Sequence, residues 1–77
     1  MITWTGQQIP DPEATGGVYI VAMVGNKRVS VFVSAEALED YGLPACQDVA
    51  EEKIETALRA GRAPDGIRVL TSDFRSG

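Results

Sequence analysis

Val18-Tyr19-Ile20-Val21-Ala22-Met23-Val24, Gly25-Asn26, Lys27-Arg28-Val29-Ser30-Val31-Phe32-Val33 and Ser34-Ala35-Glu36-Ala37-Leu38-Glu39-Asp40 follow one another without a gap. Their order decides the fold. Val18 to Val24 is apolar almost throughout, as in a strand covered on both faces. Gly25 and Asn26 both accept positive φ, so two β-rich runs joined by this pair form a tight hairpin. Lys27 to Val33 alternates: Val29, Val31 and Val33 share one face, and Arg28, Ser30 and Phe32 share the other. Ser34 is an N-cap, since its hydroxyl can accept from a free amide of the first turn. Glu36 sits in that turn, where the helix dipole favours negative charge. Ala35 to Tyr41 is therefore a short helix that Gly42 stops, with Leu38 as its anchor on the sheet and Tyr41 one turn later.

Outward from this junction the pattern continues. Leu43-Pro44 reopens the chain, and a second helix starts at Pro44 or behind an Asp48 N-cap. Ala50, Ile54 and Leu58 form one apolar stripe with Ala57 beside it, and Glu55 and Arg59 form an i, i+4 pair. Gly61 closes the helix. Ala63-Pro64-Asp65-Gly66 is a turn, and Ile67 to Thr71 is a third strand with Arg68 and Leu70 on its second face. Asp65 and Asp73 read as turn and cap residues, and Phe74 packs back on the core. On the N-terminal side, Met1 to Thr5 is a candidate edge strand whose Trp4 lies on the core. Gly6 to Gly17 has the composition of a loop, with Pro10 and Pro12.

The fold class is thus α+β. Its expected order is β-β-α-α-β, with a three-stranded antiparallel sheet, a candidate N-terminal edge strand, and both helices on one face. The organisation is one small domain over residues 1–77, with an arm and loop at 1–17 and a core at 18–74. Ile20, Val31, Leu38, Ile54, Leu58 and Val69 are expected at the centre of that core. A chain of 77 residues buries only about 60–65% of its unfolded surface. An apolar fraction of 44% suffices for such a thin core, and homodimerisation is its common supplement.

Charge and composition narrow the function classes. The net charge is −4 and the basic residues are dispersed, which argues against direct nucleic-acid binding along a phosphate backbone. The single Cys46 excludes an internal disulfide scaffold and reads as a small apolar residue. There is no histidine, so imidazole-based nucleophile systems and imidazole metal sites are excluded. Gly16-Gly17 is not followed by the Lys of a phosphate loop. We expect no catalytic residues, no cofactor and no metal. The N-terminus lacks a signal-peptide pattern and no apolar run reaches the roughly 18–20 residues of a membrane span, so the expected location is cytoplasmic, away from membranes.

The hairpin, the capped helix Val33-Ser34-Ala35-Glu36-Ala37-Leu38-Glu39-Asp40, the segment Ile54-Glu55 to Gly61, and Asp65-Gly66-Ile67-Arg68-Val69-Leu70-Thr71-Ser72-Asp73-Phe74 occur in an order that resembles the small bacterial domain-of-unknown-function family 1488. The resemblance spans about residues 18–74. The central helical stretch of that family is longer, more basic and more aromatic than Leu43 to Val49. The resemblance implies the fold; the family carries no established activity to transfer.

The function expected from these features is that of a small non-enzymatic binding or regulatory protein acting through protein–protein contacts. Its candidate contact residues are the acids Glu36, Glu39, Asp40, Glu51, Glu52 and Glu55, facing a basic or nucleic-acid-handling protein partner. Three other readings stand beside it. One is a phage-type inhibitor of a bacterial defence complex, similar to anti-CRISPR proteins that mimic nucleic acid with spaced carboxylates. Another is strand addition or dimerisation along an open sheet edge. The most remote is an enzyme using carboxylates alone. Arg28 and Phe32 also alternate on one strand face, and Arg68 lies beside them if the third strand pairs with the second. Such a face could stack a base or grip a peptide.

Overall fold

The computed structural model describes residues 2–12 and 16–74. Met1, the middle of the expected loop at 13–15, and Arg75 lie outside the described residues. The described residues form four strands: β1 (Ile2–Pro10), β2 (Val18–Val24), β3 (Lys27–Val33) and β4 (Arg68–Val69). Between β3 and β4 come two helices, α1 (Ala35–Tyr41) and α2 (Leu43–Arg59). A 3-10 turn, Thr71–Phe74, follows β4.

The hairpin forms as its turn residues demand. Val24 pairs with Lys27 across Gly25-Asn26, Gly25 adopts φ 63°, and the register runs without interruption to Val18 opposite Val33. Ser34 caps α1, its Oγ accepting from the Ala37 amide at 3.2 Å. Gly42, at φ 85°, ends α1 with its amide on the Leu38 carbonyl. The same residue is the N-cap of α2. The second helix therefore begins at Leu43, ahead of both expected starts. Gly42 turns the chain without a linker, and Pro44 sits in the first turn, where its missing N–H is no loss. Asp48 lies inside the helix and does not cap it.

The sheet has four strands in the order β1-β2-β3-β4. The expected three-stranded, wholly antiparallel sheet is corrected on two counts. First, the candidate N-terminal edge strand is present as β1, antiparallel to β2, and it extends to Pro10, through part of the segment expected as a loop. An edge strand tolerates a proline at its end because its outer N–H has no ladder to join. Second, β4 runs parallel to β3, with Phe32 opposite Arg68 and Val33 opposite Val69. Helix length explains the direction. The seven residues of α1 span about 10 Å, whereas the seventeen of α2 span about 25 Å. Only α2 traverses the sheet, so the chain re-enters it in the direction of β3. The strand is also shorter than expected, because the chain leaves the sheet after Val69 and turns into the 3-10 segment.

Paired residues share a face, so Ile20 lies with Val31, Ala22 with Val29 and Val18 with Val33. Both helices pack on this face. Ile20, Val29, Val31, Val33, Ala37, Cys46, Ala50, Ile54 and Val69 form the buried cluster, with Trp4, Leu38 and Phe74 partly buried against it. Two expected core positions differ. Ala37, not Leu38, is the fully buried residue of α1. Leu58 is 45% exposed. Steps of four residues advance about 40° beyond a full turn, so Leu58 lies about 80° around the helix from Ala50. Cys46, Ile54 and Ala57 all fall within about 40° of Ala50, and these are the buried ones. Tyr41 is exposed but stacks on Phe74, with ring centroids 4.0 Å apart and planes 9° from parallel. Among the described residues, no helix is long and apolar enough to cross a membrane.

Candidate functional site

The helices cover one face of the sheet, and the alternate side chains of β2 and β3 emerge on the other. Tyr19 stands opposite Phe32, Val21 opposite Ser30, and Met23 opposite Arg28. Tyr19 meets Phe32 edge-on, with centroids 5.4 Å apart and planes at 64°. The parallel register of β4 brings Arg68 beside Phe32, with its guanidinium carbon 5.5 Å from the ring centroid. That is within the roughly 6 Å reach of a cation–π contact. The Phe32 ring in turn lies over buried Gly17. A Cβ there would stand 2.6 Å from two ring carbons and 2.7 Å from the Val33 carbonyl oxygen.

The other arginine is held by an irregularity in β1. Trp4 pairs with Ala22 and Gln8 with Ile20, so Thr5, Gly6 and Gln7 all stand opposite Val21. This bulge is stitched down by side chains. The Thr5 hydroxyl donates to the Val21 carbonyl at 3.0 Å and accepts from the Gln7 amide at 3.1 Å. Arg28 reaches from β3 to donate to the Gln7 side-chain oxygen at 2.8 Å. Val21, on the face without helices, is consequently only 1% exposed.

Between β3 and the segment that leads into β4 lies a cleft of about 620 Å³. Arg28, Ser30, Phe32 and Tyr19 line its sheet side; Pro64 to Arg68 form the opposite wall, and Asp11 joins the rim. The size falls within the roughly 300–1,000 Å³ of ordinary ligand pockets. Its floor is a sheet edge. β4 pairs only with Phe32 and Val33, and the Phe32 amide points that way, donating to the Ile67 carbonyl at 3.0 Å. Backbone groups alternate in direction along a strand, so those of Arg28 and Ser30 face the same side. Among the described residues they have no strand partner there.

Position of the far wall depends on Lys53 of α2. Its ammonium donates to the Arg68 carbonyl at 2.7 Å and pairs with Asp73 at 2.8 Å. The second carboxylate oxygen of Asp73 accepts from the Leu70 amide at 2.8 Å, as expected of a cap residue. Partial burial pushes the Asp73 carboxyl up, but the hydrogen bonds from Lys53 and Leu70 and the Lys53 charge outweigh it, and its pKa lies below the ordinary value.

The acids expected to form one contact surface are divided. Glu36, Glu39 and Asp40 are exposed on α1. On α2, Glu51 is half-buried and accepts from the Trp4 indole at 2.8 Å. It shares a hollow with Glu55, Ile2 and Leu58 on the β1 side. Glu52 lies on another shoulder of the helix, in a groove with Lys53, Arg62 and Asp73. Arg59 does not pair with Glu55 as expected; it points toward the Thr56 hydroxyl at 3.5 Å. Cys46 is fully buried, and burial pushes its thiol pKa up, in keeping with an apolar packing role.

Of the cleft residues, Arg28 and Phe32 are recognisable from the alternation of β3, and Arg68 joins them once β4 is placed beside β3. Tyr19 was missed, although the two-residue turn already places it opposite Phe32. Ser30 shares the same face of β3, whereas Asp11 and the wall from Pro64 to Ile67 are brought there by tertiary packing, which no local signal carries. No family model, curated protein or solved structure matches this chain. The resemblance to family 1488 therefore rests on the residues quoted above.

Proposed function

We propose that the chain is a non-enzymatic binding protein that meets a protein partner through the helix-free face of its sheet, at the cleft between β3 and the β4 approach. One observation carries the reading: Arg28, Arg68, Tyr19 and Phe32 converge on a cleft of about 620 Å³ beside an open stretch of sheet edge. The acids on the helices are less suited. Glu51 is engaged with Trp4, and Glu52 and Glu55 lie in separate hollows lined also by basic side chains, Lys53 and Arg62 in one and Arg59 in the other. Affinity capture from a lysate of the encoding organism tests the assignment with two variants. Arg28→Gln with Arg68→Gln should release a protein that the parent retains. Glu36→Gln, Glu39→Gln, Asp40→Asn, Glu52→Gln and Glu55→Gln together should leave it bound. The reverse pattern would return the contact surface to the helices.

A further inference from the structure

We infer that the segment from Ala63 to Ile67 is a strap that closes on the open edge of β3, lengthening the two-residue β4 back to Ala63 and filling the cleft. The exchange between open and closed strap is a property of the chain alone; only its consequence for binding rests on the reading above.

The register carries the inference. Phe32 stands opposite Arg68 and Val33 opposite Val69. Continued upstream, the same parallel register sets Ser30 opposite Gly66 and Arg28 opposite Pro64. In a parallel pair the amide of a residue donates to the carbonyl one position before its opposite, and its carbonyl accepts from the amide one position after. The Phe32 amide on the Ile67 carbonyl and the Ser34 amide on the Val69 carbonyl, both at 3.0 Å, already follow this rule. By the same rule Ser30 donates to Asp65 and accepts from Ile67 in the closed strap, and Arg28 donates to Ala63 and accepts from Asp65. These are the four β3 groups that no strand reaches among the described residues. Pro64 and Gly66 turn their nitrogens outward, so the N–H that Pro64 lacks is not needed. The two walls of the cleft are these same residues, Arg28 to Ser30 facing Pro64 to Ile67.

What holds the strap off the edge is local. The Asp65 amide donates back to the Ala63 carbonyl at 2.9 Å, a three-residue turn that occupies two groups the ladder would use. Gly66 adopts φ 67°, which diverts the chain just before β4. Neither is a deep trap. Proline holds φ near −65°, which suits such a turn and an extended chain alike, and glycine takes positive and negative φ about equally readily. Alternation also agrees. It puts Pro64 and Gly66 on the outer face beside Arg28 and Ser30, and Asp65 on the helix side, where Lys53 and Arg62 already line a groove with it. The closed strap occupies the space that a partner would use.

Gly66 is the place to test it. A Cβ there meets nothing within 4 Å, so a substitution acts through the backbone. Gly66→Val disfavours the left-handed conformation and favours a strand, whereas Gly66→Asn accepts the left-handed conformation. Amide hydrogen exchange is followed by NMR on the full ¹⁵N-labelled chain with no partner present. The amides of Val29 and Val31, which face β2, serve as internal references. Against them, Gly66→Val should slow exchange at Arg28 and Ser30 by about tenfold or more, and Gly66→Asn should leave both close to the parent. Gly66→Ala carries a milder form of the same bias and should slow them several-fold, which keeps the test decisive if the valine variant does not fold. The proposal is overturned if the valine and alanine variants leave the Arg28 and Ser30 rates unchanged, or if Gly66→Asn slows them as much as Gly66→Val. Slowing that grows with protein concentration would also overturn it and assign the edge to a second copy. These rates are read without a partner, so the strap and the binding surface fail separately. Where both hold, Gly66→Val should retain several-fold less partner than Gly66→Asn.

Discussion

Gly17 is where the outer face is least tolerant. Its φ lies outside the left-handed region, so the need for glycine is one of space: the Phe32 ring and the Val33 carbonyl occupy the place of a side chain. Gly17→Ala must push the ring or part β2 from β3, at a cost of about 1–3 kcal/mol, the usual range for overpacking. Urea denaturation measures it, and a midpoint equal to the parent's would show that the ring moves freely. Asp73 offers a second test. Its folded pKa is lowered, so its contribution to stability is complete above the unfolded value of about 3.9. That contribution is lost as pH falls through the lower folded value. Asp73→Asn keeps an acceptor for the Leu70 amide and removes the charge opposite Lys53. The variant should be less stable than the parent at pH 7, and the gap should close as the pH drops below about 4. A gap of the same size at pH 3 would exclude the ion pair as its origin.

Among the elements, α2 does the most to shape the molecule. Ile54 is fully buried and Leu58 is 45% exposed, although they lie one turn apart. Ile54→Ala should cost about 2–5 kcal/mol, whereas Leu58→Ala should stay near the roughly 0.5 kcal/mol of ordinary surface changes. Paired denaturation curves decide it, and similar losses would mean that the helix is rotated from the orientation described. The contrast also marks how far the sequence can be read. The hairpin and the Ser34 cap are legible because each depends on two to four adjacent residues. Leu58 misleads because a row of i, i+4 steps drifts around the helix. The direction of β4 is hidden for another reason: it follows from which helix is long enough to cross the sheet, and that turns on where α2 begins. The candidate cleft inherits this division. Arg28 and Phe32 are legible from β3 alone, Arg68 only once the parallel register is known. The indole of Trp4 meets Glu51 across 47 positions of sequence, a contact no local pattern announces.

The whole molecule measures about 31 × 30 × 20 Å, several times the roughly 8 Å Debye length at physiological salt. A ligand at the sheet therefore feels the charges that line the cleft, Arg28 and Arg68 with Asp11 and Asp65, more than the acids beyond the far side of the core. The net charge of −4 is therefore a poor guide to the potential on that face. The two borders of the sheet are also unequal. β1 is broken by its bulge at Thr5 to Gln7 and ends at Pro10, which has no N–H to donate. β3 is uncovered only ahead of Phe32. Open-ended growth of a sheet from molecule to molecule needs a receptive border on each side, and this molecule has one. Its pairing capacity is a single strand. Light scattering at rising concentration should show a mass that levels off at a complex of fixed composition, where a sheet with two receptive borders would go on to fibres.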